Sequence, residues 1–240
     1  MPVQSSPRSL WALTVVFALA TMVLGGWFTR VVPPTGCAMP PQPGVTALLA
    51  FQMARTPADM EAVFGREGDP CRPGMVAALD RANTVDLYGF IWTYGAFLLC
   101  FLLAIGRGGG GPAARLGIVA LVAGLGLDVL ETATQLRLTG ELPGTASALQ
   151  ALAIGSTGKY IALSIVTLCA GVAMVTRGGI CGTLAGVACI AGSGVAFVGL
   201  LQPSSRGLLT TGTAIGWVVM LVYAVVSLLR PGRARRDTLV

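Results

Sequence analysis

The chain has 240 residues, of which 54% are hydrophobic and only 11% are charged. Because a soluble domain typically carries about 25% charged residues, this composition excludes an ordinary soluble enzyme and indicates a membrane protein. The net charge of +6 does not predict a nucleic-acid partner, because basic residues gather behind the last apolar run, a position typical of a membrane surface.

Apolar runs of roughly 20 residues, the length that crosses a bilayer as a helix, alternate with short polar breaks. The predicted fold class is therefore all-α, a polytopic membrane helical bundle with about six transmembrane spans and a small extracytoplasmic cap. The spans are predicted at about Leu10 to Phe28, Leu87 to Ile105, Leu116 to Leu136, Tyr160 to Thr176, Ile180 to Leu201 and Leu208 to Leu229. The predicted domains are a tail with the first span (1–29), a cap segment (30–85), a five-span bundle (86–229) and a basic cytoplasmic tail (230–240).

The first span has a second interpretation, as a cleaved signal peptide. Ala18-Leu19-Ala20 has the small-x-small form of a cleavage site. The apolar run continues past this site to Phe28, however, and Trp27 suits an anchor at the membrane interface. We therefore predict a retained span.

The arginines of the short loops and tails predict the orientation of the bundle. With the amino terminus inside, eight of them lie on the cytoplasmic side and two, Arg137 and Arg206, on the other. Short loops carry most of the positive-inside signal. The sequence therefore predicts a multi-pass protein of the cell membrane with both termini in the cytoplasm.

The cap segment, residues 30–85, is the largest extramembrane piece. A Pro-rich start is followed by two short amphipathic helices that break at Thr56-Pro57. The segment is too small for an independent core, so it is expected to pack over the outer end of the bundle. Cys37 and Cys71 are predicted to form a disulfide if the segment faces an oxidising compartment, the alternative being two unrelated thiols.

The absence of histidine from the chain limits its chemistry. Imidazole-ligated zinc, haem and di-iron sites are excluded, and so are Ser-His and Cys-His nucleophile pairs. No CxxC, GxSxG or P-loop motif is present. We therefore predict no cofactor and no metal, and any metal would be a hard cation held by carboxylates and carbonyls.

A polar stripe in the third predicted span carries the main functional signal. Gly124, Asp128, Glu131 and Gln135 recur at helical spacing, so they share one face of the helix. Because successive spans alternate in direction, Asp86 of the second span and Lys159 of the fourth are expected at a similar depth.

Two carboxylates within a span are costly unless they face the bundle interior and find partners. Lys159 is the predicted counter-ion, with Arg137 as a second candidate. We predict catalytic roles for Asp128, Glu131, Lys159 and Asp86, and ligand contacts for Tyr94, Gln135 and Tyr160. Two alternatives stay open, namely that Asp86 and Lys159 snorkel to the interface, and that the ion pair is purely structural.

Three functions fit this pattern. The first is a site near the outer leaflet that binds a lipid-like or amphipathic small molecule, with or without acid–base chemistry on it. The second is a proton- or cation-coupled transporter, although six short spans lack the repeats common in such carriers. The third is a non-catalytic subunit of a larger membrane complex, whose glycine-rich faces pack against a membrane-protein partner. Gly182, Gly186 and Gly194 of the fifth span recur at helical spacing, and we interpret them as a face for close helix packing.

Overall fold

The computed structural model describes residues 7–230, and these residues form helices with no β-strand among them. The α-helices of this range are α1 (Pro7–Val31), α2 (Ala47–Gln52), α3 (Pro57–Phe64), α4 (Arg72–Val85), α5 (Ile91–Ile105), α6 (Gly111–Gly140), α7 (Ala146–Arg177), α8 (Ile180–Leu201) and α9 (Gly207–Leu229). The predicted all-α class is confirmed for this range. Residues 231–240 of the predicted basic tail lie outside it.

Five helical stretches are long and apolar enough to cross a membrane. They are Arg8–Val31, Arg72–Gly140, Ala146–Arg177, Ile180–Leu201 and Gly207–Leu229. The sequence predicts six spans, and the second and third of these both fall within the stretch Arg72–Gly140. The multi-pass character of the chain is therefore supported by five candidate helices.

The stretch Arg72–Gly140 folds back on itself. A π-helical segment, Asp86–Phe90, joins α4 to α5, and a second one, Gly106–Gly110, joins α5 to α6. Gly109 in the second segment has φ +112, a backbone conformation that glycine adopts without steric cost. Beyond this turn α6 returns antiparallel to α5, since Gly117 lies against Leu102 and Gly95 lies against Leu125.

The two longest helices, α6 and α7, contain 30 and 32 residues. At about 1.5 Å per residue each exceeds the ~30 Å of bilayer hydrocarbon. The sequence places the start of the fourth span at Tyr160, whereas α7 begins at Ala146 and is capped by Thr145. In the first turns of α7, Ala148, Leu149 and Leu152 pack against the cap segment. The residues between them are more polar, so these turns contain no long apolar run that would identify them in the sequence.

The cap segment packs on the ends of these long helices. Phe51 of α2 and Phe64 of α3 meet edge-on at 4.9 Å between ring centroids. They join one apolar cluster with Leu138 of α6 and Leu149 of α7. The segment thus completes its core with residues of the bundle, as its small size requires.

Two details of the cap segment concern the sequence predictions. The predicted disulfide between Cys37 and Cys71 is confirmed, with a Cα–Cα distance of 5.8 Å. At the end of the segment, residues 72–85 form α4, which runs on through the first π-helical segment into α5. Asp86 therefore lies within a continuous helical stretch.

Glycines bring the last three helices together. Gly182 and Gly186 of α8 lie against the backbone of α7, whereas a Cβ at Gly194 would meet nothing within 4 Å. Gly212 of α9 lies against the backbone of Gly192 in α8. The interpretation of these glycines as close packing therefore fits the first two and is wrong for Gly194.

Candidate functional site

A buried ion cluster joins α6 to α7. The Lys159 ammonium lies 2.7 Å from Asp128 Oδ1 and 2.7 Å from Glu131 Oε2. The exposed fractions are 5% for Lys159, 3% for Asp128 and 0% for Glu131. Both acids of the predicted stripe thus face the interior of the bundle, and their predicted counter-ion contacts both.

The close approach of α6 and α7 makes this geometry accessible. Gly155 of α7 packs on the backbone of α6, where a Cβ would lie 2.9 Å from the Glu131 Cα. One turn further along α7, the long Lys159 side chain reaches both acids. A larger residue at Gly155 would push the helices apart and separate the charges.

Two further hydrogen bonds extend the cluster to neighbouring helices. The Tyr94 hydroxyl of α5 donates to Asp128 Oδ2 at 2.6 Å, and the Thr132 hydroxyl of α6 donates to Asp86 Oδ2 at 2.9 Å. Asp86 is buried, but it forms no ion pair with Lys159 within 4.0 Å. The interpretation of Asp86 and Lys159 as interfacial side chains is therefore wrong, and Asp86 lies beside the cluster instead of in its first contact layer.

Several buried polar atoms near the cluster have no hydrogen-bond partner within residues 7–230. They are both amide atoms of Gln135, both amide atoms of Asn83 and both carboxylate oxygens of Glu131. Glu131 Oε2 is within ion-pair distance of Lys159, so its charge is balanced although the contact lacks hydrogen-bond geometry. Leaving a buried donor or acceptor unpaired costs about 1–3 kcal/mol, so a group of unpaired polar atoms on three neighbouring residues is unusual in a protein interior.

The second predicted counter-ion is misassigned. Arg137 points away from the cluster and pairs with Glu141 at 3.4 Å, with both side chains more than half exposed. Arg137 follows Gln135 by two positions, which places it on a different side of the helix. Arg137 was chosen as a counter-ion for its charge and its nearness in sequence, without regard to the side of the helix on which it lies.

Two residues of the cap segment, Gln52 and Arg55, contact α7 in the same region. The Tyr160 hydroxyl donates to Gln52 Oε1 at 2.7 Å, and the Lys159 ammonium lies 5.2 Å from the Tyr160 ring centroid. The Arg55 guanidinium donates to the hydroxyls of Ser156 and Thr157 in α7. Burial, with Arg206 nearby, lowers the pKa of Arg55 from its ordinary value.

An apolar cavity of about 540 Å³ lies beside the cluster, between α1, the cap segment and α9. Phe28 of α1, Val32 just after it, Leu48 of α2 and Trp217 of α9 line it, together with Tyr160. A Cβ at Gly25, which also lines the cavity, would meet nothing within 4 Å. The cavity volume falls in the range typical of small-molecule sites, about 300–1,000 Å³.

Aromatic contacts connect the cavity to the ion cluster. The Trp217 ring stacks on Tyr94 at 5.3 Å between centroids, with an interplanar angle of 28°. Tyr94 in turn holds Asp128. Trp217 Nε1 is buried, and it has no hydrogen-bond partner in the described part of the chain. One wall of the cavity is therefore connected through Trp217 and Tyr94 to the buried charges.

The predicted site residues divide into two groups. Asp128, Glu131 and Lys159 form the ion cluster, with Tyr94, Asp86 and Gln135 around it, while Tyr160 alone among the predicted residues lines the cavity. Sequence reasoning missed Trp217, Thr132 and Arg55. Thr132 follows Asp128 by four positions and was visible as part of the same stripe. Arg55 and Trp217 gave no such signal, because their roles depend on how the cap segment and α9 pack.

Comparison of the chain with protein-family models, with curated proteins and with solved structures finds no match in any of the three.

Proposed function

We propose that the chain is a multi-pass protein of the cell membrane that crosses it six times, with both termini in the cytoplasm. Support comes from the antiparallel arms α5 and α6, which divide the stretch Arg72–Gly140 into two crossings. The turn between these arms carries Arg107, and Arg115 follows in the first turns of α6. This is the arginine placement expected of a cytoplasmic connection.

The ion cluster then lies near the extracytoplasmic edge of the hydrocarbon. Asp128 is about 26 Å from the start of α6 at Gly111, at 1.5 Å per residue. The remaining turns of α6 and the first turns of α7 project beyond the ~30 Å core. The cap segment, which packs on those turns, covers the site from outside.

The proposed function is to bind a lipid-like or amphipathic small molecule in the cavity between α1, the cap segment and α9. The observation that carries this proposal is the cavity itself, which is lined mainly by apolar side chains and has Tyr160, Thr210 and Thr213 among its lining residues. Apolar pockets with a few placed polar groups are the usual form of small-molecule sites. Hydrocarbon would fill the apolar part, and a polar group of the ligand would meet the hydroxyls of Thr210 and Thr213.

The geometry favours binding over chemistry on the ligand. Asp128 and Glu131 do not line the cavity; they lie behind Tyr94 and Tyr160. In this arrangement the cluster holds Tyr94, which supports the cavity wall through Trp217, while Gln52 holds the Tyr160 hydroxyl. Acid–base chemistry by Asp128 or Glu131 would require a proton to pass through a tyrosine hydroxyl.

Two neighbouring glycines of α1 give a matched test of the cavity. Both Gly25 and Gly26 have open space around the position of a Cβ, but only Gly25 lines the cavity. Gly25→Phe fills the cavity, whereas Gly26→Phe adds the same bulk and the same change in helix propensity beside it. Each protein is delipidated and offered a single-chain fatty acid or an alkylamine of equal length, and native mass spectrometry counts the bound molecules.

We expect one bound amphiphile on the wild type and on Gly26→Phe, and at least a tenfold weaker association with Gly25→Phe. The preferred probe shows which headgroup charge the site accepts. Equal binding to the two variants would contradict the assigned cavity. A wild type that binds neither probe, and that yields no amphiphile on extraction before delipidation, would overturn the function.

A further inference from the structure

Polar residues continue beyond the ion cluster along the contact between α4 and α6. On α4 and the residue that follows it they are Asp80, Asn83 and Asp86, and on α6 they are Thr132, Gln135 and Thr139, with Glu131 beside Thr132. The first set recurs every three residues, and Thr132, Gln135 and Thr139 recur at steps of three and four, so each set forms one helical face. The two faces meet, because Thr139 donates to Asp80 Oδ1 at 2.5 Å and Thr132 donates to Asp86 Oδ2 at 2.9 Å.

These two hydrogen bonds fix the register between the helices. Asn83 lies midway between Asp80 and Asp86, and Gln135 lies between Thr132 and Thr139, so the two amides belong to the same layer. Their exposed fractions are 1% and 0%. Neither amide has a hydrogen-bond partner among residues 7–230, and the same holds for Glu131 Oε1 one turn below.

This layer is suited to a small polar guest. Each amide offers two donors and an acceptor, and Glu131 adds a carboxylate oxygen. Leucine in place of these buried amides would leave nothing unpaired, so the amides are advantageous only where something polar meets them. Water is the guest that fits best, since a buried water needs two to four polar partners and little room.

The polar layer extends from the half-buried Asp80 at the cap end to the ion cluster, and an apolar core lies on the other side of the cluster. Asp80 is half-buried and accepts a hydrogen bond from Thr139, near the end of α6 that the cap segment covers. Thr139 lies about 16 Å along α6 from Asp128, at 1.5 Å per residue. On the opposite side of the cluster, the core between α5, α6 and α7 is apolar, with Leu98, Leu121 and Val166 fully buried. Tyr94 is bonded to Asp128, and Thr167, which is buried further along α7, donates to the Leu163 carbonyl of its own helix.

We propose that the α4–α6 contact is a proton path that runs from Asp80 at the cap end to the buried acids and is completed by water between Asn83 and Gln135. The ionisable groups that face it are Asp80 of α4, Asp86 at the start of the π-helical segment, Asp128 and Glu131 of α6, and Lys159 of α7. A proton entering at Asp80 passes along hydrogen bonds to a carboxylate of the cluster, and the same number of protons leaves by the same route. The path is one-sided, so it supplies the cluster without conducting across the membrane.

Thiol reactivity tests whether water reaches the layer. Gln135→Cys is compared with Leu138→Cys, which is equally buried on α6 but lies in the apolar cluster with Phe51 and Phe64. A small charged methanethiosulfonate is the probe, and peptide-resolved mass spectrometry separates the new thiol from the native cysteines. We expect Gln135→Cys to react at least tenfold faster than Leu138→Cys, and Asn83→Leu to abolish this difference. Equal rates for the two single variants would overturn the proposal.

Carboxyl exchange tests whether protons follow the water. The infrared carbonyl band of a buried protonated carboxyl, assigned with Glu131→Gln and Asp86→Asn, shifts when deuterium replaces its proton. We expect Asn83→Leu/Gln135→Leu to slow this shift at least tenfold after transfer to D₂O, with Gln135→Glu retaining the wild-type rate. An unchanged rate in the double variant contradicts the path, as does proton flux across proteoliposomes, which would instead support a transporter.

This inference is independent of the ligand cavity. Neither Asn83 nor Gln135 lines that cavity, so Asn83→Leu should leave the count of bound amphiphile unchanged. Failure of the path with normal amphiphile binding, or the reverse, therefore identifies which of the two proposals is wrong.

Discussion

Two pairs of consecutive helices in this bundle associate by different means. In α6 and α7, Lys159 holds Asp128 and Glu131 at 2.7 Å across the contact. In α8 and α9 no residue is charged, and the backbones meet directly where Gly192 lies against Gly212. Each pair is joined by a connection of only a few residues, so topology does not explain the difference.

The uncharged pair shows that this chain can join two helices without ionisable groups. Small residues let backbones approach, and van der Waals packing then replaces lipid contacts. The pair α6 and α7 has the same device at Gly155. Because a buried ion pair is weak support for stability in itself, the presence of Lys159 and two acids in addition to this glycine favours a functional cluster over a purely structural one.

The largest effect is expected from removing the single cation of the cluster. Lys159→Met leaves Asp128 and Glu131 buried without a counter-charge, and breaking a buried pair in this way costs about 3–5 kcal/mol. We expect this loss in the free energy of unfolding, measured by denaturant titration of the protein in mild micelles.

The control for this variant removes all three charges. In Lys159→Met/Asp128→Asn/Glu131→Gln the buried charge disappears, so most of the lost stability should return while the proton path loses its acceptors. If the triple variant is as unstable as the single one, packing of the lysine stem, and not charge balance, holds α6 to α7.

The second-largest effect concerns the glycine contact of α8 and α9. A Cβ in Gly212→Ala would overlap the backbone of Gly192 and Ala196, and overpacking of this kind costs about 1–3 kcal/mol. The matched control is Gly194→Ala on α8, which meets nothing within 4 Å and should be neutral or slightly stabilising, since alanine favours helix by up to ~1 kcal/mol over glycine. Equal melting temperatures for the two variants would contradict direct backbone packing.

The same contrast explains what the sequence predicts and what it does not. Asp128, Glu131 and Gln135 were identifiable because helical period places them on one face, and the cost of burying charge required that face to point inward. Lys159 was identifiable as the only lysine at a matching depth. These arguments need only local geometry and solvation.

The features that the sequence did not predict depend on tertiary packing. The start of α7 at Ala146 was missed because its first turns are buried by the cap segment and need no long apolar run. The contact of Arg55 with Ser156 joins residues 101 positions apart, and no spacing rule connects them. The cavity beside Trp217 exists only once α1, α9 and the cap segment are assembled.

An acid of the cap segment provides a surface counterpart to the buried acids. Partial burial raises the pKa of Asp59, but hydrogen bonds from the Arg55 and Thr56 N–H groups and the Thr56 hydroxyl lower it more, so that the pKa lies below its ordinary 3.8. The carboxylate form therefore stabilises the start of α3 above about pH 4, and this contribution disappears as the pH falls through the folded-state pKa.

The expected size of this effect is about 1 kcal/mol, typical of a helix cap. The backbone amides of Arg55 and Thr56 donate to Asp59. In the wild type their protection from hydrogen exchange, corrected for the intrinsic rate, should decrease between about pH 5 and pH 3 as the carboxylate is protonated. Asp59→Ala should show the low protection at every pH. Protection in the wild type that does not change over this range would rule out the capping carboxylate as its cause.

The smallest effect is expected where the charges of α6 reach solvent. Arg137 and Glu141 form an i, i+4 pair at 3.4 Å, but their side chains are 66% and 51% exposed. Such a pair contributes about 0.3–0.5 kcal/mol, and at 1 M salt, where the Debye length is only about 3 Å, screening should remove it. We therefore expect Glu141→Gln to lower the melting temperature slightly at low salt and not at all at 1 M, whereas the penalty of Lys159→Met should persist at both. A salt-insensitive loss in Glu141→Gln would show that the contribution of Glu141 does not come from its ion pair with Arg137.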